Sequence, residues 1–173
     1  MLGAHQIEQL KKLIIDTDRG PRKHGVINRK YVGKDASVIL RDAGIACPPD
    51  KRLALCEVDA DHTFFWTELM MPVLPLVRVR HVDEAIALAV EVEHGFRHTA
   101  SMHSRNIDKL HDMARACDCS IFVKNGPNAA GLGWNGEGPT SFTIASPTGE
   151  GMTTAKSFTR IRRCTLVDRF RIV

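Results

Sequence analysis

Alternating strand-like and helix-like segments in residues 73–125 constrain the fold of this chain more than any other feature. The apolar segment "VLPLVRV" is followed by "VDEAIALAVEVEHG", which has acids in its first turn and Gly95 as a stop signal. The strand-like "TASMHS", the helix-like "NIDKLHDMARAC" and the strand-like "SIFVKN" come next. Because such short spacings are typical of βαβ units, the pattern predicts an α/β fold built on a parallel sheet.

The first third of the chain adds two helices and a strand to this prediction. Ile7, Leu10 and Ile14 are apolar at helical spacing, and "DASVILRDAG" is a second helix-forming segment between Asp35 and Gly44. "DTDRGPRKHG" is rich in Gly, Pro and charge, which predicts a surface loop. "PPDK" predicts a turn, and "RLALCEV" predicts a strand.

Length, charge and cysteine content narrow the class of protein without selecting a function. A chain of 173 residues suits one ordinary domain with a buried core. The formal charge of +4 permits anionic partners but selects none. The cysteines are odd in number, and "MLGAHQIEQLKK" has no apolar run long enough for secretion or for crossing a membrane. Reduced thiols and a cytoplasmic location are therefore expected for the five cysteines, Cys47, Cys56, Cys117, Cys119 and Cys164.

A glycine-rich stretch, residues 124–151, holds more than half of the chain's thirteen glycines. Gly131, Gly133, Gly136 and Gly138 have the spacing of a dinucleotide-binding loop. That loop needs a helix directly after it to bind phosphate, whereas Pro139 and a β-prone segment follow here. The alternative is a loop that needs positive φ or a close backbone approach, either to a neighbouring segment or to a ligand.

Three further groups of polar residues allow a functional and a structural interpretation. His94 and His98 have zinc-ligand spacing, but Gly95 ends the predicted helix between them, and no metal site is predicted. "CDCS" lacks the spacing of a redox pair. Glu68 lies among apolar residues, where burial of an unpaired charge is costly, so a loop residue that faces water is favoured.

The C-terminal segment "KSFTRIRRCTLVDRFRIV" carries six basic residues and one acid, Asp168. Such a charge pattern is found in nucleic-acid-binding strips and also in exposed β-ribbons. The alternation in "RFRIV" favours the ribbon, and no nucleic-acid or membrane partner is predicted.

Four long motifs resemble a known family. "TELMMPVLPLVRV", "EHGFRHTASMHS", "IFVKNGPNAAGLGWNGEG" and "PTGEGMTTAKSFTRIRRCTLVDRFRIV" are similar to the C-terminal portion of CoA-acylating aldehyde dehydrogenases. The nearest resemblance is to the propionaldehyde and acetaldehyde enzymes of propanediol- and ethanolamine-utilising bacterial microcompartments. The similarity extends over nearly the whole chain and implies the catalytic-domain fold of that family.

The resemblance implies an activity, two cofactors and several site residues. A cysteine thiolate attacks the aldehyde, NAD takes up the hydride, and CoA removes the acyl group from the thioester. "TELMMP" resembles the motif whose glutamate binds the nicotinamide ribose, here Glu68, although Met70 and Met71 replace a Phe-Gly pair. "RHTAS" implies that His98 is an active-site residue. The glycine-rich stretch implies a loop at the substrate and CoA side of the site, with the candidate residues Asn125, Gly126, Gly131 and Gly133.

The family's nucleophile motif and its Rossmann domain have no counterpart among these 173 residues. The chain alone is therefore expected to be inactive and to bind neither NAD nor CoA tightly. The resemblance implies a partial catalytic domain in residues 1–155 and an oligomerisation β-arm in residues 156–173, through which a homo-oligomer forms. It also implies a location in the cytoplasm or the lumen of a microcompartment. The alternative is a non-enzymatic assembly module that pairs through the arm, since an unpaired strand edge associates readily.

Overall fold

The computed structural model describes residues 1–139, 152–165 and 167, and it divides into two compact units, Met1–Val92 and Glu93–Val173. Each unit contains a two-stranded parallel sheet. The first unit also has three α-helices and a short antiparallel pair, and the described part of the second has one α-helix. The predicted α/β class with parallel strands is therefore confirmed in the form of small sheets. The predicted division at residue 155 stays a prediction.

The first helix, α1 (Ala4–Ile14), lies where apolar periodicity predicts it. Its three periodic residues, Ile7, Leu10 and Ile14, are all buried. The Gln6 side chain accepts a hydrogen bond from the Gly3 N–H group (3.0 Å), which stabilises the start of the helix.

A short antiparallel pair follows, formed by β1 (Ile15–Thr17) and β2 (Val26–Ile27). Residues 18–25 connect the two strands and are mostly exposed, as predicted for a surface loop. Asp16 and Thr17, which the prediction also placed in the loop, lie in β1 instead. A single 3₁₀ turn, Arg29–Tyr31, comes next, and the Asn28 side chain caps it by accepting from the Lys30 N–H group (3.1 Å).

The second helix, α2 (Ala36–Asp42), also matches its prediction. Asp35 is the N-cap residue, but its side chain makes no capping hydrogen bond. Gly44 ends the helix with a φ of 74° and donates to the Arg41 carbonyl (2.9 Å).

The parallel sheet of the first unit is formed by β3 (Ala54–Glu57) and β4 (Val73–Leu76). The loop of residues 58–72 connects these strands and contains Glu68. The predicted turn at "PPDK" precedes β3, closed by a hydrogen bond from the Lys51 N–H group to the Pro48 carbonyl (3.2 Å).

Helix α3 (Val82–Val92) follows the sheet and carries Asp83 and Glu84 in its first turn, where carboxylates interact favourably with the helix dipole. The core of the first unit joins α1, α2 and both sheets through buried side chains. The largest fully buried ones are Phe64, Leu10, Ile14, Ile39 and Cys56.

The second unit is organised around β5 (Thr99–Met102), α4 (Ile107–Cys117) and β6 (Ile121–Lys124). The two strands are parallel, with Thr99 opposite Ile121. The predicted cap of α4 is confirmed, because Asn106 Oδ1 accepts from the N–H groups of the second and third residues of the helix (3.0 and 3.1 Å).

Two 3₁₀ helices, Asn128–Leu132 and Ala155–Phe158, complete the described part of the second unit. In the described tail, residues 159–165 are exposed and form no strand. The predicted β-arm pairs with another subunit, and its strand would have no hydrogen-bonding partner within a single chain. The β-arm therefore stays a prediction. Its end, residues 168–173, lies outside the described residues, as does the β-prone segment after Pro139, "SFTIAS".

Candidate functional site

Glu68 is an exposed residue between two buried neighbours, Thr67 and Leu69. Its carboxylate makes no hydrogen bond or ion pair to any residue that the structure describes. The expectation of a loop residue that faces water is therefore confirmed. The buried neighbours anchor the backbone on both sides, so that the exposed carboxylate projects from a fixed main chain.

The segment before Glu68 is anchored by its aromatic residues. Phe64 is fully buried, and Trp66 is only 2% exposed. The Trp66 Nε1–H group donates to the Ala60 carbonyl (2.6 Å), which satisfies the indole donor inside the unit. Met70 follows with a φ of 52°, a left-handed conformation that turns the chain toward β4.

The loop between β1 and β2 holds the main chain at Glu68 from a second side. The Gly25 N–H group donates to Thr67 Oγ1 (2.9 Å), and the Glu68 N–H group donates to His24 Nε2 (3.3 Å). His24 and Gly25 are separated from their partners by more than forty residues in sequence. No local pattern predicts such contacts, and His24 was not a candidate residue on sequence grounds.

A separate cavity of about 350 Å³ lies beside α1 and the end of β3 in the same unit. His62 is its most buried polar residue. Phe64 N–H donates to His62 Nδ1 (3.1 Å), which places the proton of the neutral ring on Nε2. That nitrogen has no hydrogen-bond partner in the described chain, and Glu8 Oε1 lies 3.8 Å away. Glu68 does not line the cavity, whose residues are Ala4, Ile7, Glu8, Glu57, Val58, Asp59, His62 and Arg78.

Burial lowers the pKa of His62 below its usual value, and the nearby Lys11 charge acts in the same direction. The neutral ring is therefore favoured. The sequence around it, "ADHTFF", contains no motif that marks a functional histidine.

His98 lies at the start of β5 in the second unit. Its carbonyl accepts from the Ile121 N–H group (3.1 Å), and its Nδ1 atom is hydrogen-bonded to Thr99 Oγ1. Its Nε2 atom is buried and has no hydrogen-bond partner among the described residues. A buried ring nitrogen without a partner is costly, which makes this atom a candidate for contact with a ligand.

The turn that leads into His98 is held by Glu93. Its carboxylate accepts hydrogen bonds from the N–H groups of Gly95 (3.0 Å) and Arg97. His94, Gly95 and Arg97 all have positive φ. Helix α3 ends at Val92, so neither His94 nor His98 lies on it. No group of His, Cys, Asp and Glu that could hold a metal ion is found in the described residues.

The described part of the glycine-rich stretch, residues 124–139, packs on β6. A Cβ atom at Gly131 would lie 2.5 Å from Ile121 Cγ2 and 3.2 Å from Val123 Cγ2. At Gly136 a Cβ atom would collide with the carbonyl of Ala130. These two glycines are required by close approach to a neighbouring segment, one of the two possibilities that the sequence left open. His98 is hydrogen-bonded to the main chain of Ile121, and Gly131 packs on the side chain of the same residue, so both predicted site residues lie next to the start of β6.

Asn125 and Gly126 lie between β6 and the 3₁₀ helix Asn128–Leu132. Asn125 has a φ of 55°, and its side chain is hydrogen-bonded to the main chain of Ser104. Gly126 does not have a positive φ, and a Cβ atom there would meet Val123 Cγ1 at 3.4 Å. The side chain of Asn125 therefore joins the ends of β5 and β6.

The cysteines are unpaired in the structure. Burial raises the pKa of Cys56 to about 11, and burial also raises the pKa of Cys117. These two thiols are protonated at neutral pH. The Cys119 thiol donates to the Ile121 carbonyl (3.0 Å). In the part of the chain that the structure describes, no helix has the length and apolar character needed to cross a membrane.

Comparison with known proteins gives a consistent result. The sequence model for the "Aldehyde dehydrogenase family" matches residues 53–140. The acetylating acetaldehyde dehydrogenase EutE of Salmonella typhimurium is 55% identical over 172 residues, which is 99% of this chain and 37% of the relative. The chain thus spans little more than a third of the length of that relative.

Solved structures show the same relationship. The propionaldehyde dehydrogenase of Rhodopseudomonas palustris with bound propionyl-CoA has a TM-score of 0.83 and 49% identity, over 96% of this chain and 35% of that one. A further structure of that enzyme contains CoA and an acylated cysteine. The propionaldehyde dehydrogenase from the Clostridium phytofermentans fucose utilisation microcompartment has a TM-score of 0.82 and 42% identity, over 97% of this chain and 38% of that one.

Proposed function

This chain belongs to the aldehyde dehydrogenase family, and we propose that it forms the C-terminal part of an NAD-dependent, CoA-acylating aldehyde dehydrogenase. The overall reaction converts a short-chain aldehyde, CoA and NAD to acyl-CoA and NADH. The observation that carries the proposal is the 55% identity to an acetylating enzyme across 172 residues. The structural similarity to a relative that holds propionyl-CoA supports the same conclusion.

Glu68 is proposed to bind the ribose that carries the nicotinamide ring. The ribose offers hydroxyl donors, and Glu68 offers an exposed carboxylate that makes no hydrogen bond within the described chain. Bound NAD supplies the hydride acceptor of the reaction. The role of Glu68 is to orient the ring by charge-assisted hydrogen bonds, which are stronger than neutral ones.

His98 is proposed to contact the acyl-transfer partner. Its buried Nε2 atom has no hydrogen-bond partner among the described residues, whereas Nδ1 is held by Thr99. When Nδ1 carries the ring proton and donates it to Thr99 Oγ1, Nε2 of the neutral imidazole can accept the proton of an attacking thiol. This chemistry suits the step in which the CoA thiol takes the acyl group.

The backbone after β6 is proposed to form the substrate and CoA side of the site. Gly131 packs tightly on Ile121, and Gly133 has a φ of 90°, so the loop follows a path that side chains would block. Asn125 and Gly126 begin that path. Because the Asn125 side chain already binds Ser104, the contribution of these residues is loop shape rather than side-chain contact.

The nucleophilic cysteine is proposed to lie outside these 173 residues. Cys56 and Cys117 have raised pKa values, whereas an attacking thiolate needs a lowered one. The chain alone should therefore form no NADH from propionaldehyde, NAD and CoA, and its turnover of these substrates would overturn this assignment.

A chimera tests the proposed function directly. This chain replaces the matching C-terminal segment of the Salmonella acetylating acetaldehyde dehydrogenase, which retains its own upstream residues. CoA-dependent NADH formation by the chimera is expected, with a loss of about tenfold or more in kcat/KM for Glu68→Gln. A folded chimera without aldehyde-dependent NADH formation would contradict the proposal.

A second candidate function is assembly through the tail, in an enzyme or independently of one. Phe158, Ile161 and Val167 are 73%, 86% and 72% exposed, which is unusual for apolar side chains in one segment. We propose that the tail binds a second copy of the chain. Sedimentation should show an oligomer that becomes a monomer when residues 156–173 are deleted, and a full-length monomer at high concentration would exclude this role.

The proposed location is the cytoplasm or the lumen of a bacterial microcompartment. The support is the similarity to a dehydrogenase from a fucose utilisation microcompartment. Co-purification with microcompartment shells from a producing cell tests the second location.

A further inference from the structure

His24 and Gly25 bind two consecutive residues of the loop that carries Glu68. The Gly25 N–H group donates to Thr67 Oγ1 at 2.9 Å, and the Glu68 N–H group donates to His24 Nε2 at 3.3 Å. A two-residue segment of one loop is thus hydrogen-bonded to a two-residue segment of another. Such a pair of contacts limits rotation of the Glu68 backbone more than one contact does.

The hydrogen bonds of His24 define which ring nitrogen carries the proton. The Glu68 N–H group can only donate, so His24 Nε2 accepts and is unprotonated. His24 Nδ1 lies 2.8 Å from the Gly25 carbonyl, which can only accept, so Nδ1 carries the proton. The neutral Nδ1–H tautomer satisfies both contacts at once.

Packing around Gly25 leaves this arrangement little freedom. A Cβ atom at Gly25 would lie 3.0 Å from Thr63 Cγ2 and 3.2 Å from both Thr67 Oγ1 and the Thr17 carbonyl. Gly25 is itself buried, and Thr63 and Thr67 are 3% and 7% exposed. The backbone of the first loop therefore lies directly against the segment that carries Glu68.

Ion pairs also hold the loop that contains His24 and Gly25. Arg22 donates through Nε to Asp61 (2.9 Å) and through Nη1 to Glu91 (3.2 Å). Asp18 forms an ion pair with Lys11 of α1 (2.6 Å). His24 consequently lies in a loop that is bound to α1 and α3. Its hydrogen bond to the Glu68 N–H group connects this loop to the main chain of Glu68.

We propose that His24 is a positioning residue: it accepts the Glu68 N–H group and thereby orients the carboxylate that binds the nicotinamide ribose. This inference rests on the proposed function of Glu68. His24 itself does not touch the cofactor in this proposal. His24 acts through the main chain of Glu68. Loss of its hydrogen bond to the Glu68 N–H group should therefore weaken NAD binding more than it slows the reaction of bound substrates.

Two substitutions of His24 distinguish the role of the hydrogen-bond acceptor Nε2 from that of the imidazole ring as a whole. Glutamine can place its Oε1 atom near the position of histidine Nε2, whereas the shorter asparagine reaches only the position of Nδ1. His24→Gln should therefore retain the contact with Glu68, and His24→Asn should lose it. His5 is an exposed histidine of α1 in the same unit, and His5→Asn serves as the matched control.

The hydrogen bond is tested on this chain by NMR. The His24 ring should show a protonated Nδ1 and an unprotonated Nε2, and the Glu68 amide should be protected from hydrogen exchange. Exchange at Glu68 should be about tenfold faster in His24→Asn and close to wild type in His24→Gln and His5→Asn. Equal exchange rates in all four proteins would overturn the inference.

The functional consequence is tested in the chimera with the Salmonella enzyme. His24→Asn should raise KM for NAD by about fivefold to tenfold with little change in kcat, and His24→Gln should restore it. If Glu68→Gln is impaired but His24→Asn is not, the positioning role is wrong and the proposed function stands. If Glu68→Gln has the KM and kcat of the unmodified chimera, the assignment of Glu68 itself is wrong.

Discussion

The side chain of Asn125 binds both main-chain polar groups of Ser104. Asn125 Oδ1 accepts from the Ser104 N–H group at 2.7 Å, and Asn125 Nδ2 donates to the Ser104 carbonyl at 3.0 Å. The backbone of Asn125 also donates to the carbonyl of Met102, the last residue of β5 (2.9 Å). One residue therefore ties together the carboxyl ends of two parallel strands, at the start of the glycine-rich stretch.

Asn125→Ala should destabilise the second unit by about 2–3 kcal/mol. The substitution removes two hydrogen bonds, each worth about 1 kcal/mol. It also places alanine at a φ of 55°, a left-handed conformation that the polar side chain of asparagine tolerates better than a methyl group does. Asn125→Gly removes the same hydrogen bonds without the conformational penalty and should cost about 1 kcal/mol less. Urea unfolding of both variants measures the difference, and a wild-type midpoint for Asn125→Ala would show that the Ser104 contact is not stabilising.

Gly131→Ala should destabilise the same unit by about 1–3 kcal/mol, because the added methyl group would lie 2.5 Å from Ile121 Cγ2 and force β6 or the loop to move. Gly126→Ala is the matched control. Its added methyl group makes only an ordinary contact with Val123, and its effect should stay within about 0.5 kcal/mol. Thermal unfolding of the pair should therefore show a large shift for one alanine and almost none for the other, and equal shifts would contradict the packing argument.

The helices were predictable from sequence because their signals are local. The apolar spacing of Ile7, Leu10 and Ile14 defines α1, and the Asn106 side chain caps α4 within three residues of its own position. The strands of residues 73–76 and 121–124 were also predicted, although each is shorter than the segment that predicts it.

The contacts that shape the candidate site were not predictable in this way. His24 and Glu68 are 44 residues apart, and the histidine lies in a loop that was notable only for Gly, Pro and charge. The role of Gly131 depends on its distance from Ile121, which spacing alone cannot give. The glycine pattern resembled a phosphate-binding loop because both uses of glycine demand close backbone approach, and only the neighbouring segments distinguish them.

Cys56 should react slowly with iodoacetamide in the native protein. Its pKa is raised to about 11 by burial, so that at pH 8 only about one molecule in a thousand carries the thiolate. Cys164 is exposed and should be labelled first. Mass spectrometry of the labelled peptides follows both residues, and repetition in urea should remove the difference. Native labelling of Cys56 at the rate of Cys164 would show that the core of the first unit opens.

Asp18 should make the stability of the first unit sensitive to acid. Its hydrogen bonds to Lys11 and to the Gly20 N–H group lower its pKa from 3.8 to about 2. A carboxylate with a lowered pKa in the folded state contributes stability above the unfolded value, and this contribution is lost as the pH falls from about 4 to about 2. Because the ion pair is partly exposed, the effect should be modest and should decrease with added salt.

Asp18→Asn tests this linkage, since asparagine cannot titrate. The free energy of unfolding of the variant should be lower than that of the wild type at pH 6, and the two should converge as the pH approaches about 2. Asp16→Asn, at an exposed position on β1, is the control and should keep the acid dependence of the wild type. Urea unfolding at a series of pH values measures all three proteins. Parallel curves for wild type and Asp18→Asn would mean that Asp18 does not cause the acid sensitivity.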